Sequence, residues 1–406
     1  MRTPAPTLAL ALLAALGCTP DNVIGAVDAA RADAAPEDIA DAPAAPDAPV
    51  PDASAPDAPA ADVPASMDAP AQPDAPAPMD APAPMDAPAP PDAPAPPDAP
   101  APDAPAPMRD LSMPGPHRVA IWTGAITGTQ GDARVFYPMT AGTERYPLVV
   151  FAHGFQLSVS NYNALLAHVA SWGYVVASVN YPGSLLSVDH RDVPAALSAA
   201  RRAFASGSPP GAPAVRADAT RAIAMGHSLG GKGAIMAVLA DAEFDACLAL
   251  DPVDDNPSPL GRITDATPSI APERMGELRR PLGLFGATQS RCASLGQTCA
   301  PETSDYRAFA SAAPTSVPVT VWPLRDFGHM NFVDPGCGLA CVACSGGAAP
   351  LDSRLAALRT LSVAFLERYA RDDASMQTWF DGAGRASLLA AGTLWNGAAA
   401  TLPACR

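Results

Sequence analysis

The sequence predicts an α/β fold, a mostly parallel central sheet flanked by helices and preceded by a long Pro/Ala/Asp-rich tail. Three observations carry that prediction. Apolar runs of strand length alternate with stretches of helical periodicity after residue 113. The runs are apolar almost throughout instead of alternating, as in a sheet covered on both faces. Residues able to do chemistry fall just beyond the carboxyl ends of those runs, where open α/β sheets collect their sites.

The tail comes first in the chain. The protein has 406 residues and a formal charge of −16. That charge is unevenly placed. Between Thr19 and Ser112 lie 18 acidic and two basic side chains, whereas Met113 to Arg406 holds 23 acidic and 22 basic ones. The domain after the tail is therefore nearly neutral, which excludes the basic surface of a nucleic-acid binder. From about Asp21 to Asp110 the chain repeats Asp-Ala-Pro, with Asp74, Asp80, Asp86, Asp92 and Asp98 six residues apart. Nothing large and apolar is present there to bury, so the repeat is expected to be a disordered linker. Proline and like charges extend it, to an upper reach of about 290 Å at about 3.1 Å per residue. Before it, Arg2 and the apolar run Leu8 to Leu16 read as an export signal too short to span a bilayer. Ala15-Leu16-Gly17-Cys18 resembles a bacterial lipobox, which makes Cys18 the expected lipidated residue. The expected organisation is thus signal peptide 1–18, linker 19–112 and catalytic domain 113–406. The protein is expected to be exported and held at the cell envelope through Cys18, with outer membrane or cell surface favoured.

Within the domain, strands are expected near Val119 to Trp122 and Ala133 to Tyr137, then at Pro147 to Ala152, which ends in His153-Gly154. Leu165, Leu166, Val169 and Trp172 give a helix over Asn161 to Trp172, stopped by Gly173. Tyr174 to Val179 is the next strand and Asp192 to Phe204 the next helix. Arg221 to Met225 is a strand entering Gly226, followed by a helix from Lys232 to Ala240. Strands follow at Asp245 to Leu250, Leu282 to Phe285 and Pro318 to Trp322, and a helix at Leu351 to Tyr369. Cys247 falls inside a strand and reads as a buried thiol. The remaining six, Cys292, Cys299, Cys337, Cys341, Cys344 and Cys405, allow 15 pairings and leave connectivity open, with a local Cys292–Cys299 loop as one of them. Cys337, Cys341 and Cys344 read as disulfide partners in an oxidising compartment in preference to metal ligands.

The chemistry centres on Gly226-His227-Ser228-Leu229-Gly230. A G-x-S-x-G run between an apolar strand and a helix is the setting of a nucleophile elbow, in which the serine hydroxyl stands out of the sheet edge. Small residues are needed at 226 and 230 because the turn brings backbones into contact. In that arrangement the chain order is Ser, acid, His. His329 is the one histidine after Ser228, and it follows the last strand, so it is the expected base. The strand ending Leu284-Phe285-Gly286 carries no carboxylate beyond it. The preceding one ends in Leu250-Asp251, so Asp251 is the expected acid, with Asp254 and Asp255 as alternatives that read otherwise as a solvated loop. Two backbone amides must face a developing oxyanion. Leu229, after the serine, and Phe155, in the loop His153-Gly154-Phe155, are placed to supply them.

Phe151-Ala152-His153-Gly154-Phe155, Leu166 to Tyr174, Gly226 to Lys232 and Leu250-Asp251-Pro252-Val253-Asp254 together resemble the chlorophyllase-like branch of the α/β hydrolases. With His329-Met330-Asn331-Phe332 the same blocks are similar to platelet-activating-factor acetylhydrolases. The first and third blocks also resemble cutinase-like polyester hydrolases. The resemblance spans most of 117–370. It implies an α/β-hydrolase fold, carboxylic ester hydrolysis by Ser228, Asp251 and His329, oxyanion donors Phe155 and Leu229, and no cofactor. The same residues also admit a peptidase, a lipid-ester specialist or a non-catalytic surface protein.

Overall fold

The computed structural model describes residues 109–140, 142–184, 187–212, 214–255, 266–294, 298–335, 344–397 and 402–405. The expected signal peptide, Cys18 and the Asp-Ala-Pro repeat lie outside the described residues, as do Cys337 and Cys341.

Eight strands form one sheet in the order β1-β2-β4-β3-β5-β6-β7-β8. They are β1 (Val119–Ala125), β2 (Asp132–Pro138), β3 (Tyr146–Ala152), β4 (Val175–Val179), β5 (Ala217–His227), β6 (Ala246–Leu250), β7 (Leu282–Ala287) and β8 (Val319–Leu324). From β4 to β8 all pairs are parallel. β1 and β2 are joined as an antiparallel hairpin, and β2 lies antiparallel to β4. The sheet is therefore mostly parallel with an antiparallel edge. Burial along β1 alternates between exposed and half-buried residues, whereas β3, β4, β6 and β7 are buried at every position. That difference is what a hairpin edge and a doubly covered centre require.

Side chains alternate across each strand, and two cores result. Leu148 and Val150 of β3, Ala222 and Ala224 of β5, and Cys247 and Ala249 of β6 face α2 (Asp192–Ser206) and α3 (Leu229–Ala240). Val149, Phe151, Ile223, Met225, Leu248 and Leu250 face α1 (Asn163–Ser171) and α5 (Leu351–Ala370). Each fully buried Val, Leu or Phe contributes about 1.5–3 kcal/mol relative to exposure. Helix α3 is buried from Leu229 to Val238, so its sequence shows little sidedness. Gly233 lets it approach α2, since a Cβ there would meet Val193 Cγ1 at 2.1 Å.

Two short helices were not legible in the pattern: α4 (Tyr306–Ala312) and α6 (Ala383–Ala390). Each is near two turns long, below the length at which periodicity separates helix from loop. Helix α3 also begins at Leu229, three residues before the expected start, because the glycines at 230 and 231 disguise its first turn.

Candidate active site

Between β5 and α3 the chain turns at Ser228, which adopts φ 58° and ψ −122°. This is a left-handed conformation that a residue with a Cβ adopts only when its surroundings enforce it. Those surroundings are visible. A Cβ on Gly226 would meet Gly230 O at 2.2 Å, and one on Gly230 would meet Ala152 O at 2.1 Å. Ser228 N donates to Leu250 O, which fixes the turn to the end of β6.

His329 opens a short 3₁₀ turn, His329–Phe332, after β8. Its Nε2 lies 2.8 Å from Ser228 Oγ. Its Nδ1 lies 2.8 Å from Asp251 Oδ2. Asp251 follows β6 directly and is fully buried, with φ 44°. The Ala287 amide donates to its other oxygen at 2.8 Å, and the Ser290 hydroxyl donates to Oδ2. Because the imidazole must donate from Nδ1 to a carboxylate, Nε2 is left to accept from the serine hydroxyl. The structure thus brings the three sequence-selected side chains together.

Asp254 and Asp255, the alternatives, do not enter this chain of contacts. Asp254 also corrects an expectation, for it is not a solvated loop residue. It is 3 % exposed, pairs with Lys232 Nζ at 3.0 Å, and accepts from the amides of Ile270 and Ala271.

The loop after β3 packs against Ser228. A Cβ on Gly154 would stand 3.3 Å from Ser228 Cβ and 3.2 Å from His227 Nδ1, a tight fit that brings this loop directly against the serine turn. Neither the Phe155 nor the Leu229 amide is engaged by another described residue. Leu229 N is moreover one of the first amides of α3, which have no partner inside the helix.

Two residues of the site were not singled out in the sequence. His227 is fully buried between Tyr162 and the backbone of His329. Burial first, and the nearby His329 second, push its pKa well below the usual histidine value, so it is neutral. Its Nε2 must donate to the His329 carbonyl at 2.9 Å, which leaves Nδ1 to accept from Tyr162 OH at 2.9 Å. Tyr162 OH in turn accepts from Gly154 N. One hydrogen-bonded row therefore links the β3 loop, the serine turn and the histidine turn. The signal that existed was a histidine at the variable position of G-x-S-x-G, immediately before the serine. Tyr162 carried no such signal.

The local Cys292–Cys299 loop, one of the open pairings, is not formed. Cys292 bonds Cys405 and Cys299 bonds Cys344. The C-terminal segment docks beside the loop after β7, where Gln289 Nε2 and Arg291 Nη2 donate to Ala404 O and Pro403 O. That docking, invisible in cysteine spacing, presents Cys405 to Cys292. Cys247 is buried and carries no disulfide. Among the described residues no group of His, Cys, Asp and Glu side chains is arranged to hold a metal.

Strand order, a strained serine at the β5–α3 turn, and a histidine after β8 define the α/β-hydrolase class. A family model described as Chlorophyllase matches residues 126–381. The chain therefore belongs to the chlorophyllase family, a family of hydrolases. It is 26 % identical over 268 residues to chloroplastic chlorophyllase-1 of Citrus sinensis, covering 63 % of this chain and 78 % of that protein. It is 28 % identical over 221 residues to chlorophyllase-1 of Arabidopsis thaliana, covering 51 % and 65 %. Thus it spans just under two thirds of the Arabidopsis protein's length. Chlorophyllase type 0 of Chenopodium album is 25 % identical over 270 residues, covering 59 % and 71 %.

Proposed function

We propose that this protein is a serine hydrolase that cleaves carboxylic esters through an acyl-enzyme. The observation that carries the reading is the unbroken Asp251–His329–Ser228 contact chain, 2.8 Å at each link. His329 Nε2 takes the hydroxyl proton as Ser228 Oγ attacks the ester carbonyl, and the carbonyl π electrons move onto oxygen. The Phe155 and Leu229 amides stabilise that oxyanion; one such donor is commonly worth about 10²–10³ in rate. When the tetrahedral adduct collapses, His329 returns the proton to the leaving alkoxide. Water, deprotonated by His329, then attacks the acyl-serine and releases the acid. Asp251 holds the imidazole in the tautomer this requires and stabilises its protonated form.

The ester class is carried over from the family, and the chlorophyllase activity named for the plant relatives is one candidate within it. The test is Ser228→Ala. Turnover of p-nitrophenyl esters and labelling by a fluorophosphonate probe should both disappear. A folded wild-type protein that takes no label overturns the reading.

Export and anchoring through Cys18 form part of the same proposal, which places the hydrolase at a membrane surface on an extended linker. Incorporation of labelled palmitate should be lost in Cys18→Ala; lipid incorporation that survives the change overturns this part.

A further inference from the structure

The carboxyl edge of the sheet carries more than the Asp251–His329–Ser228 chain. A concave pocket of about 490 Å³ opens on its β4 side, between the loops that follow β1, β3 and β4. Leu157 forms part of its wall. Leu157 Cδ1 and Ser228 Cβ lie 3.1 and 3.3 Å from the single point where a Cβ on Gly154 would stand. The pocket therefore adjoins the nucleophile across one glycine.

Sheet order decides which half of an ester reaches it. β4 lies on one side of β3, and β5, β6, β7 and β8 lie on the other. The proton donor to the leaving group, His329, comes from the loop after β8. Proton transfer needs hydrogen-bond reach, so the alcohol departs on the β8 side. An acyl chain directed away from the leaving group would extend toward β4 and the pocket.

The pocket's chemistry restricts that chain. Gln130, Gln156, Asn180 and Ser184 line it, the Ser184 hydroxyl also bonding Ser187, and among the described residues no Asp, Glu, Lys or Arg does. His153 contributes a ring stacked on Tyr181 with centroids 4.4 Å apart. Its Nδ1 lies 2.8 Å from Gly154 O. Asn180 is held by donation from Nδ2 to Asp132 O at 2.8 Å. Gln156 is held at φ 59°, a backbone position that a glutamine occupies only under constraint. Amides and hydroxyls offer both donors and acceptors, but no countercharge for an ion. Leu157 and Val188 supply apolar contact for methylenes.

We infer that this pocket is the acyl subsite, and that it selects uncharged acyl chains bearing hydroxyl or other hydrogen-bonding oxygen over plain hydrocarbon chains. The inference rests on the serine-hydrolase reading above and gives that reading a substrate class.

Two substrates test it on the full chain, p-nitrophenyl heptanoate and p-nitrophenyl 6-hydroxyhexanoate. They have the same chain length, and the hydroxyl replaces a methyl too remote to alter carbonyl reactivity. In wild type, kcat/KM should favour the hydroxy ester by about fivefold, the scale of one net hydrogen bond. Gln156→Leu and, separately, the exposed Gln130→Leu should each shift that ratio toward heptanoate by at least threefold. Far-ultraviolet circular dichroism checks folding, and the two variants stand on different loops, so misfolding of one leaves the other as a test. A wild type that prefers heptanoate, or a ratio unmoved by both variants, overturns the subsite. If wild type still takes the fluorophosphonate label in that case, the hydrolase reading survives. Absence of label overturns both.

Discussion

Ser290 shows how much of the site's geometry is set by residues that touch no substrate. Its hydroxyl donates to Asp251 Oδ2, the same oxygen that faces His329 Nδ1. Asp251 has no solvent to turn toward, and its other oxygen is fixed by the Ala287 amide. Removing the Ser290 hydroxyl leaves the carboxylate free to rotate and the imidazole less firmly aimed. Ser290→Ala is expected to lower kcat by about tenfold with KM unchanged, on the scale of one hydrogen bond to a charged group. Ser290→Thr keeps the donor and should recover most of the rate. Steady-state kinetics on a soluble ester decides this. An Ala variant that raises KM instead would show that Ser290 acts on substrate and not on Asp251.

Among elements, α3 does two jobs, and its buried lysine joins them. The N-terminal amides of the helix stand at the serine. One turn on, Lys232 has no exposed surface, and its Nζ contacts Asp254 Oδ1 at 3.0 Å, Asp254 O at 3.2 Å and Pro268 O at 2.5 Å. His190 Nδ1 lies 3.1 Å from the same nitrogen. The helix thereby holds His190, after β4, and Asp254 and Pro268, after β6. Burial pushes the Lys232 pKa down and the Asp254 carboxylate pushes it back up. A cation so enclosed is tolerated only while its partner remains. Removing one partner of a buried pair costs about 3–5 kcal/mol, against at most about 1 kcal/mol for exposed pairs. Lys232→Met, which conserves volume, should therefore lower unfolding free energy in urea by about 3–5 kcal/mol. Arg274→Ala, which breaks a surface pair with Glu277, should change it by less than about 1 kcal/mol. Equal effects from the two substitutions would show that the buried pair anchors nothing.

At the scale of the whole molecule, four buried histidines set its response to acid. Burial pushes His153 and His227 down, His168 to about 4, and His190 to about 3, where the Lys232 charge adds to the effect. All four lie below the unfolded value of about 6.5. Above that value both states are neutral and nothing is lost. As pH falls below it, the unfolded chain binds protons that the folded protein cannot, so stability declines. The urea midpoint should fall between pH 7.5 and 5.5. His190→Gln should flatten the decline. A midpoint independent of pH over that range would show that these side chains are hydrated.

Much of this protein was legible in its residues because the signals were local. Unbroken apolar runs such as Leu148 to Ala152 can only be central strands, and helices as long as α5 display their period. Gly226 and Gly230 flank Ser228 because the turn itself needs them, so the strained serine turn is written in five consecutive residues. His329 followed by position alone, as the one histidine beyond the last strand. Other features depend on which distant segments meet. The antiparallel placement of β2 against β4, the Tyr162–His227 row, the burial of Asp254 against Lys232, and the Cys292–Cys405 and Cys299–Cys344 pairings join residues from separate segments of the chain. A sequence states propensity and order, which short-range sterics and side-chain alternation translate into elements. Distances between side chains on different loops are set only once those elements pack. The disulfide pairing, and the polar pocket beside the serine, were therefore decided by the tertiary structure.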